Sequence, residues 1–224
     1  MNKNDKDMIY MIRKYRKSLM IMATLFSTLA GNAQNTALPA PDKTGGATMM
    51  EALWNRKACR EFSDRSLTEQ QLANLLWAAT GMNRPDEGRR TNATAVNMQE
   101  VSVYAVMPGG ICLYDHATHA LQKVADGDHR QLVAAGQDFV NDAPVSLVIV
   151  VDMGKFGDRQ EMMRPMGAAD AGIVAQNISL FCAATGLATV IRGTMDREAL
   201  QKLLGLNPGQ EPMLNCPVGY AKQK

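Results

Sequence analysis

The chain has 224 residues, 46% of them hydrophobic and 21% charged, a composition that excludes collagen-like, coiled-coil and wholly disordered proteins and is typical of one globular domain. Six of its 24 basic residues and two of its 22 acidic residues lie within residues 1–33, so the remaining chain has a formal charge of −2. At that charge we expect no nucleic-acid partner.

Residues 1–33 have the pattern of a secretory signal peptide. A basic segment at residues 3–17 precedes an apolar run at residues 19–30, which is too short to anchor the chain stably in a bilayer. A Gly-Asn-Ala sequence that ends at Ala33 places small residues where signal peptidase cleaves. We predict cleavage after Ala33, export to the periplasm, and a mature chain that begins at Gln34 and has no membrane anchor. The alternative is an amphipathic N-terminal helix of a cytosolic protein.

A leader and a single domain are predicted after the signal peptide. Residues 34–46 are rich in Pro, Gly, Ala and Thr and have no periodicity, which predicts a flexible leader. We expect regular structure to begin near Thr48, and residues 47–224 to form one domain.

Two helices are predicted at the start of this domain, because each has a capping box at its first turn. Thr48 and Glu51 have the capping-box spacing, and Thr68 and Gln71 repeat it ahead of an apolar helical pattern. Gly81 has the position of the residue that follows and ends the second helix.

Strands follow these helices. A polar loop is predicted at residues 82–92, and strands are predicted at residues 101–105, 111–114 and 121–124. Residues 145–151 form a continuous apolar run, which is typical of a strand buried on both faces.

The last part of the chain predicts two more helices and two strands. A long helix is expected at residues 167–185 and a short one begins at Asp196, with a strand at residues 187–191 between them. Residues 213–218 are predicted to form an edge strand, because Pro217 cannot donate a ladder hydrogen bond. Together these elements predict an α+β protein, a mixed α/β sandwich.

A basic cluster follows the first predicted helix. Arg56, Lys57 and Arg60 place two guanidinium groups and an ammonium group within five residues. Guanidinium groups match the oxygens of a phosphate, so the cluster indicates a phosphate site. Taken alone, the same pattern is also typical of a solvated basic surface.

Two further segments have polar or small residues in patterns that bear on function. Asn97 and Gln99 precede a predicted strand. A carboxamide both donates and accepts hydrogen bonds, as binding to the edge of a heterocycle requires. Asn-x-Gln is also a common turn signal. Ala168, Gly172 and Ala175 form a small-residue face of the long helix, which suits either a subunit interface or close packing within one subunit.

In this order, the three segments resemble the nitroreductase family of flavoproteins, and the resemblance covers nearly all of residues 48–221. Residues 89–91 and 127–140 are most similar to its thiazole/oxazole-oxidase-like branch. The resemblance implies a homodimer with FMN at the subunit interface, a four- or five-stranded mixed sheet wrapped by helices, and two-electron transfer.

The resemblance implies a set of phosphate ligands. Arg56, Lys57 and Arg60 match the family's phosphate-binding arginine motif, and Lys222 falls where the family adds another phosphate contact. Ala58 lies within the motif, where the family usually has a serine, so one hydroxyl contact is missing and weaker FMN binding is expected.

The resemblance also implies residues at the flavin ring. Asn97 matches the amide at the ring edge, with Arg90 and Gln99 flanking it as further cofactor-binding candidates. Gly193 matches the backbone that approaches flavin N5, and Arg192, a looser match, is expected beside it. Gly193 and Arg192 are therefore the predicted catalytic residues.

Two departures from familiar patterns affect these expectations. Glu100 stands where the family has a proline after the Asn-x-Gln motif. The chain has no Gly-x-Gly-x-x-Gly sequence behind a strand, so no separate dinucleotide-binding domain is expected and a nicotinamide donor would enter the flavin pocket itself.

Two other residue clusters have alternative interpretations. His116 and His119 have a spacing that could hold a metal, but they lie on a predicted hairpin turn and lack obvious further ligands, so we predict no metal site. The methionines at positions 153, 162, 163 and 166 are interpreted either as a substrate lid or as core filling.

The resulting functional prediction is reduction of a small electrophilic organic molecule, such as a nitroaromatic or a quinone, by FMN. The electron donor is expected to be NAD(P)H or, after export, a reductant of the cell envelope. The alternatives are oxidation of an azoline-like substrate and flavin binding without turnover.

Overall fold

The structure, a computed structural model, describes residues 35–223. The predicted signal peptide, residues 1–33, lies outside this part of the chain. Among the described residues, none of the helices has the length and apolarity needed to traverse a bilayer.

A seven-stranded sheet forms the centre of the domain, in the order β1-β6-β5-β4-β7-β9-β8, and a separate hairpin pairs β2 with β3. All of these strand pairs are antiparallel. The strands are β1 (Asn35–Ala37), β2 (Met82–Arg84), β3 (Arg89–Arg90), β4 (Val101–Met107), β5 (Gly110–Asp115), β6 (Ala120–Asp126), β7 (Val145–Asp152), β8 (Ala188–Thr189) and β9 (Gln210–Gly219).

Helices cover both faces of the sheet. They are α1 (Met49–Asn55), α2 (Glu69–Thr80), α3 (Arg130–Ala134), α4 (Phe139–Asp142), α5 (Gln160–Thr185) and α6 (Arg197–Leu203). Short 3-10 helices lie at Pro85–Glu87, Ala95–Asn97 and Met153–Arg159.

The alternation of β7 side chains produces two hydrophobic cores, one on each face of the sheet. Leu147 and Ile149 point to the face covered by α2 and α5, where they join Ile178. Val148 and Val150 point to the opposite face, which α3, α4 and α6 cover. The predicted α/β sandwich is confirmed, and so is the prediction that this strand is buried on both faces.

Both predicted capping boxes are present. Thr48 accepts a hydrogen bond from the amide of Glu51, and Thr68 accepts one from the amide of Gln71. In each pair the N3 side chain bonds back to the cap amide, so two otherwise unpaired amide groups are satisfied at each helix start.

Gly81 ends α2 for a different reason from the one that its position suggested. Its φ of −75° is extended rather than left-handed. A Cβ at this position would lie 2.3 Å from Trp77 Cδ1 and 2.7 Å from the Trp77 carbonyl oxygen. Close approach to Trp77 therefore requires glycine here.

The structure corrects the prediction for residues 34–46, because regular structure begins well before Thr48. β1 pairs with β6, and the amide of Leu38 donates to the His119 carbonyl at 3.1 Å. The ladder is made by backbone groups, which every residue except proline supplies, so the lack of periodicity gave no sign of it.

Three predictions about the sheet were also wrong. Within residues 35–223 the sheet has seven strands rather than four or five. The sheet is antiparallel rather than mixed, with parallel pairing limited among the described residues to an isolated bridge between Ala58 and Thr189. β9 is not at the edge, because β8 pairs with its last residues; Pro217 is tolerated because β8 reaches only Val218 and Gly219.

The long helix begins earlier than predicted, at Gln160 rather than near residue 167, and continues through Pro165. Pro165, the sixth residue of this helix, has no N–H group, so it cannot donate to the Glu161 carbonyl and one helical hydrogen bond is lost. The helix ends as predicted before Gly186, which has the left-handed φ of 73°.

Candidate functional site

The basic segment that follows α1 runs along the edge of the sheet. The amide of Cys59 donates to the Thr189 carbonyl at 2.9 Å, next to the bridge between Ala58 and Thr189. The amide of Lys222 donates to the Glu61 carbonyl at 3.0 Å. These backbone bonds bring the C-terminal segment, which contains Lys222, beside the basic segment. This proximity is compatible with the prediction that both segments bind the same phosphate.

Four cationic side chains are exposed here, and none forms an ion pair within residues 35–223. A cleft of about 160 Å³ lies beside them, with Lys57, Cys59 and Ala221 on one side and the end of α5 on the other. The four cations are Arg56, Lys57, Arg60 and Lys222.

Arg60 lies close enough to Arg192 for the two charges to interact. The pKa of the Arg192 guanidinium is lowered, mainly by burial and additionally by the positive charge of Arg60. The surface around Arg60 therefore carries uncompensated positive charge, which favours an anion. Ala58 has no polar side-chain group to offer an anion, and its bridge to Thr189 fixes the path of the segment.

Arg192 itself is directed into the protein and is 7% exposed. Its guanidinium donates to the carbonyls of Val133 and Ala134 at 3.1 Å each, at the end of α3. It also donates to Asn215 Oδ1 at 2.7 Å and to Gln137 Oε1 at 3.1 Å. We therefore interpret Arg192 as a residue that joins α3 to β9, not as one whose side chain reaches a bound ring.

Gly193, which follows it, is exposed and has open space on its Cα. A Cβ placed there would meet only Arg197, whose Nη2 would lie 3.9 Å away. Arg197 Nη2 donates to the Gly193 carbonyl at 2.7 Å and so fixes the local backbone. The predicted role of Gly193 as a backbone contact is compatible with this placement.

The loop formed by residues 94–99, here called the 94–99 loop, has a strained backbone. Val96, Asn97 and Gln99 have positive φ values of 45°, 57° and 51°. Such conformations cost on the order of 1–3 kcal/mol each for residues other than glycine, and they persist only where surrounding bonds enforce them. Backbone strain of this kind concentrates at functional sites, which supports the interpretation of this loop as part of a functional site.

Hydrogen bonds hold the loop in this conformation. The amide of Gln99 donates to Thr94 Oγ1 at 3.0 Å, and Gln99 Nε2 donates to the Gly88 carbonyl at 2.7 Å. Gln99 Nε2 also lies 3.4 Å from Asn97 Oδ1. This contact orients the side-chain amide of Asn97. Because Asn97 is exposed, the amide is also accessible to a ligand.

Arg90 is 8% exposed and lies behind the loop. Its Nη1 donates to the Val101 carbonyl at 2.9 Å, and its Nη2 donates to His116 Nε2, also at 2.9 Å. Burial and the charge of Arg90 lower the pKa of His116 to about 4, so the imidazole is neutral at pH 7 and accepts this bond. The structure thus places Arg90 behind the candidate site, not on its surface.

The two histidines are engaged within the protein. His119 bonds through Nδ1 to the Tyr114 hydroxyl at 2.8 Å and through Nε2 to the Pro39 carbonyl at 2.9 Å. Residues 35–223 contain no group of three potential ligands that could hold a metal ion.

Sequence reasoning missed a pair of acidic residues beneath the loop. Asp170 on α5 accepts a hydrogen bond from the Ala95 amide at 2.7 Å, and Glu100 is buried next to Asp170. The only signal of this pair was the departure from proline at position 100. The spacing of 70 residues between the two acids gave no other indication.

The methionine cluster and the small residues of α5 each have some members buried and others exposed. Met153 is buried, with its sulfur against Gly167, so it fills the core, whereas Met162 is exposed at the start of α5. Of the small residues on α5, Ala175 is buried within the subunit, and Ala168 is exposed.

Comparisons with known proteins identify the family and the fold to which this chain is similar. The sequence model of a protein family, described as "Nitroreductase family", matches residues 53–220 of this chain. A solved structure described as a candidate nitroreductase, from Ralstonia eutropha JMP134, is 37% identical, with a TM-score of 0.79, and the match covers 87% of this chain and 93% of that one. A protein of Methanocaldococcus jannaschii named as a candidate nitroreductase is 27% identical over 182 residues, which covers 75% of this chain and 89% of that protein.

A more distant likeness extends to a structure with a printed activity. The NADPH:FMN oxidoreductase of Vibrio harveyi, solved in complex with NAD+, is 20% identical and has a TM-score of 0.58. The match covers 78% of this chain and 69% of that one. At this identity the likeness concerns the fold alone.

Proposed function

The chain belongs to the nitroreductase family of oxidoreductases, whose members generally depend on a flavin, and we propose that it binds FMN and reduces a small electrophilic organic molecule. The observation that carries the proposal is a set of exposed cations that form no ion pair within residues 35–223 and lie beside the cleft at the end of α5. A nitroaromatic or a quinone is the substrate class that we propose.

The residues fit the chemical groups of FMN. Arg56, Lys57, Arg60 and Lys222 would bind the phosphate, because these cations have no acidic partner among the described residues. Asn97 would hydrogen-bond the edge of the ring system, and the backbone of Gly193 would face it. When bound, FMN supplies two-electron transfer chemistry, and the protein supplies binding and orientation.

We expect purified protein to be yellow and to release FMN rather than FAD when it is denatured. The cation cluster suits one terminal phosphate, which FMN has and FAD lacks. Chromatography of the released flavin makes the distinction. A colourless protein that also fails to bind added FMN would contradict the proposed function.

The electron donor and the direction of turnover need a separate measurement on the same protein. We propose NAD(P)H or a reductant of the cell envelope as donor. Anaerobic addition of NADPH, followed by air, reports flavin reduction and reoxidation by absorbance. Reduction by an azoline substrate instead would favour the oxidase alternative, and no reduction by any donor would favour flavin binding without turnover.

We also propose that the protein is a homodimer. On α1, only Ala52 is buried within the subunit, whereas Trp54 is 89% exposed and Met49, Met50 and Leu53 are also exposed. Apolar side chains of this size on one short helix favour contact with another protein surface. Ile173 adds an exposed apolar side chain on α5.

We expect Trp54→Glu to convert the dimer into folded monomers. A charged carboxylate at the centre of an apolar interface is costly, whereas at an exposed site on a lone subunit it is harmless. Sedimentation velocity measures the mass, and circular dichroism checks folding. The proposal is wrong if the wild-type protein is already monomeric or if the variant remains dimeric.

A further inference from the structure

Glu100 is the most unusual acidic residue in the described part of the chain. It is 1% exposed, and neither of its carboxylate oxygens has a hydrogen-bond donor within residues 35–223. It also forms no ion pair there. A buried carboxylate with no partner is strongly unfavourable, so the side chain must be neutral or must share a proton.

The neighbour that can share a proton is Asp170. Its carboxylate is 3% exposed and lies within hydrogen-bonding range of Glu100. Asp170 already accepts the Ala95 amide through Oδ2, at 2.7 Å. Two buried carboxyl groups in contact cannot both remain charged, whereas one proton between them makes a hydrogen bond that satisfies both.

This pair connects directly to the strained loop. Ala95 begins the 3-10 helix Ala95–Asn97, and Glu100 is the residue that follows Gln99. Asp170 therefore fixes one end of the loop through the Ala95 amide, and Glu100 directly follows the other end. Lys155 Nζ donates to the Gln99 carbonyl at 2.9 Å and closes the loop on its exposed side.

We propose that Glu100 is a positioning residue of the site: with a proton it donates to Asp170, and this pair fixes the Ala95 amide and the strained 94–99 loop. The inference rests on the proposed function in so far as this loop orients Asn97 toward FMN. It predicts that one proton controls the order of the loop and, through it, flavin affinity.

The pH range follows from the surroundings. Burial, and then the hydrogen bond to Asp170, raise the pKa of Glu100 from its ordinary value near 4.5 to about 7. The stabilisation is therefore complete below the ordinary value and is lost as pH rises through about 7. Above that pH, two adjacent carboxylates repel each other and favour opening of the loop.

Other charged groups face the pair. Arg90 on β3 and Lys155 on the 3-10 helix Met153–Arg159 attract the Glu100 carboxylate. His116 contacts Arg90 and stays neutral, since its pKa is about 4. The group whose pKa is near 7 is thus Glu100.

The test measures FMN affinity between about pH 5 and about pH 8 for the wild type, Glu100→Gln and Asp170→Asn. Both variants keep the size of the side chain, and each can form a hydrogen bond between positions 100 and 170 without a titrating proton. We expect wild-type affinity, relative to each variant, to fall about tenfold or more across this range. The ratio removes the titration of the FMN phosphate, which is common to all three proteins.

Glu198→Gln, a change at an exposed position on α6, is the control and should retain the wild-type pH dependence. Equal pH dependence in the wild type and both carboxyl variants would overturn the proposal. If one variant does not fold, the other still decides the question.

A second readout does not need flavin. In the protein without FMN, hydrogen exchange of the Ala95 amide should accelerate in the wild type as pH rises, beyond the ordinary increase seen in Glu100→Gln. If FMN does not bind but this difference is present, the proposed function fails and the carboxyl pair stands. If FMN binds and the difference is absent, the inference fails and the proposed function stands.

Discussion

Replacing Arg60 by alanine is expected to weaken FMN binding about ten- to a hundredfold. A hydrogen bond to a charged group contributes roughly 1.5–3 kcal/mol, and each 1.4 kcal/mol corresponds to about a factor of ten in the dissociation constant. Arg60 has no acidic partner among residues 35–223, so its loss removes ligand contacts without breaking an internal ion pair. Fluorescence titration of the protein with FMN measures the change.

The charge near Arg60 makes this site sensitive to a single substitution. Arg60 and Arg192 repel each other, and the phosphate of the proposed FMN would relieve this repulsion. Lys202→Ala, which removes one positive charge from an exposed position on α6, is the matched control and should leave FMN affinity unchanged. Equal affinity of wild type and Arg60→Ala would mean that the basic cluster is only a solvated surface.

The features that sequence predicted best are local. A capping box involves residues three positions apart, so Thr48 with Glu51 and Thr68 with Gln71 were sufficient to locate two helix starts. The apolar run at residues 145–151 was sufficient to identify the central strand, because burial on both faces leaves no polar positions.

Features that depend on distant partners were harder to predict. β1 pairs with a strand more than 80 positions later, and the antiparallel direction of the sheet depends on how its connections cross the molecule. The orientation of an arginine is also set by distant groups. Arg60 remains at the surface, whereas Arg90 turns inward to the Val101 carbonyl and His116.

The 94–99 loop combines both cases. Asn97 and Gln99 were recognised as candidates from their residue types, and the structure gives them different positions: Asn97 is accessible, and Gln99 orients it. Their support from Asp170, 75 residues away from Ala95, could not be read from local sequence. Residue type therefore indicated the candidate site, and tertiary contacts determined which side chain supports which.

Arg192→Ala is expected to destabilise the fold, by about 3 kcal/mol, rather than to act mainly on donor or substrate KM. Four hydrogen bonds from this buried guanidinium satisfy two carbonyls at the end of α3 and the side chains of Gln137 and Asn215. Removing it leaves buried acceptors unpaired, which costs roughly 1–3 kcal/mol for each group that water does not reach.

Burial and the charge of Arg60 disfavour the positive charge of Arg192. Its position at the C-terminus of α3, where a cation interacts favourably with the helix dipole, offsets part of this cost. Urea unfolding should therefore show a lower midpoint for Arg192→Ala with an unchanged slope, while Arg84→Ala, an exposed arginine on β2, should unfold like the wild type. Arg192→Lys should recover only part of the lost stability, because an ammonium group cannot donate in the forked geometry that reaches α3 and β9 together. Wild-type stability combined with a large increase in substrate KM would instead place the Arg192 side chain in the reaction pocket.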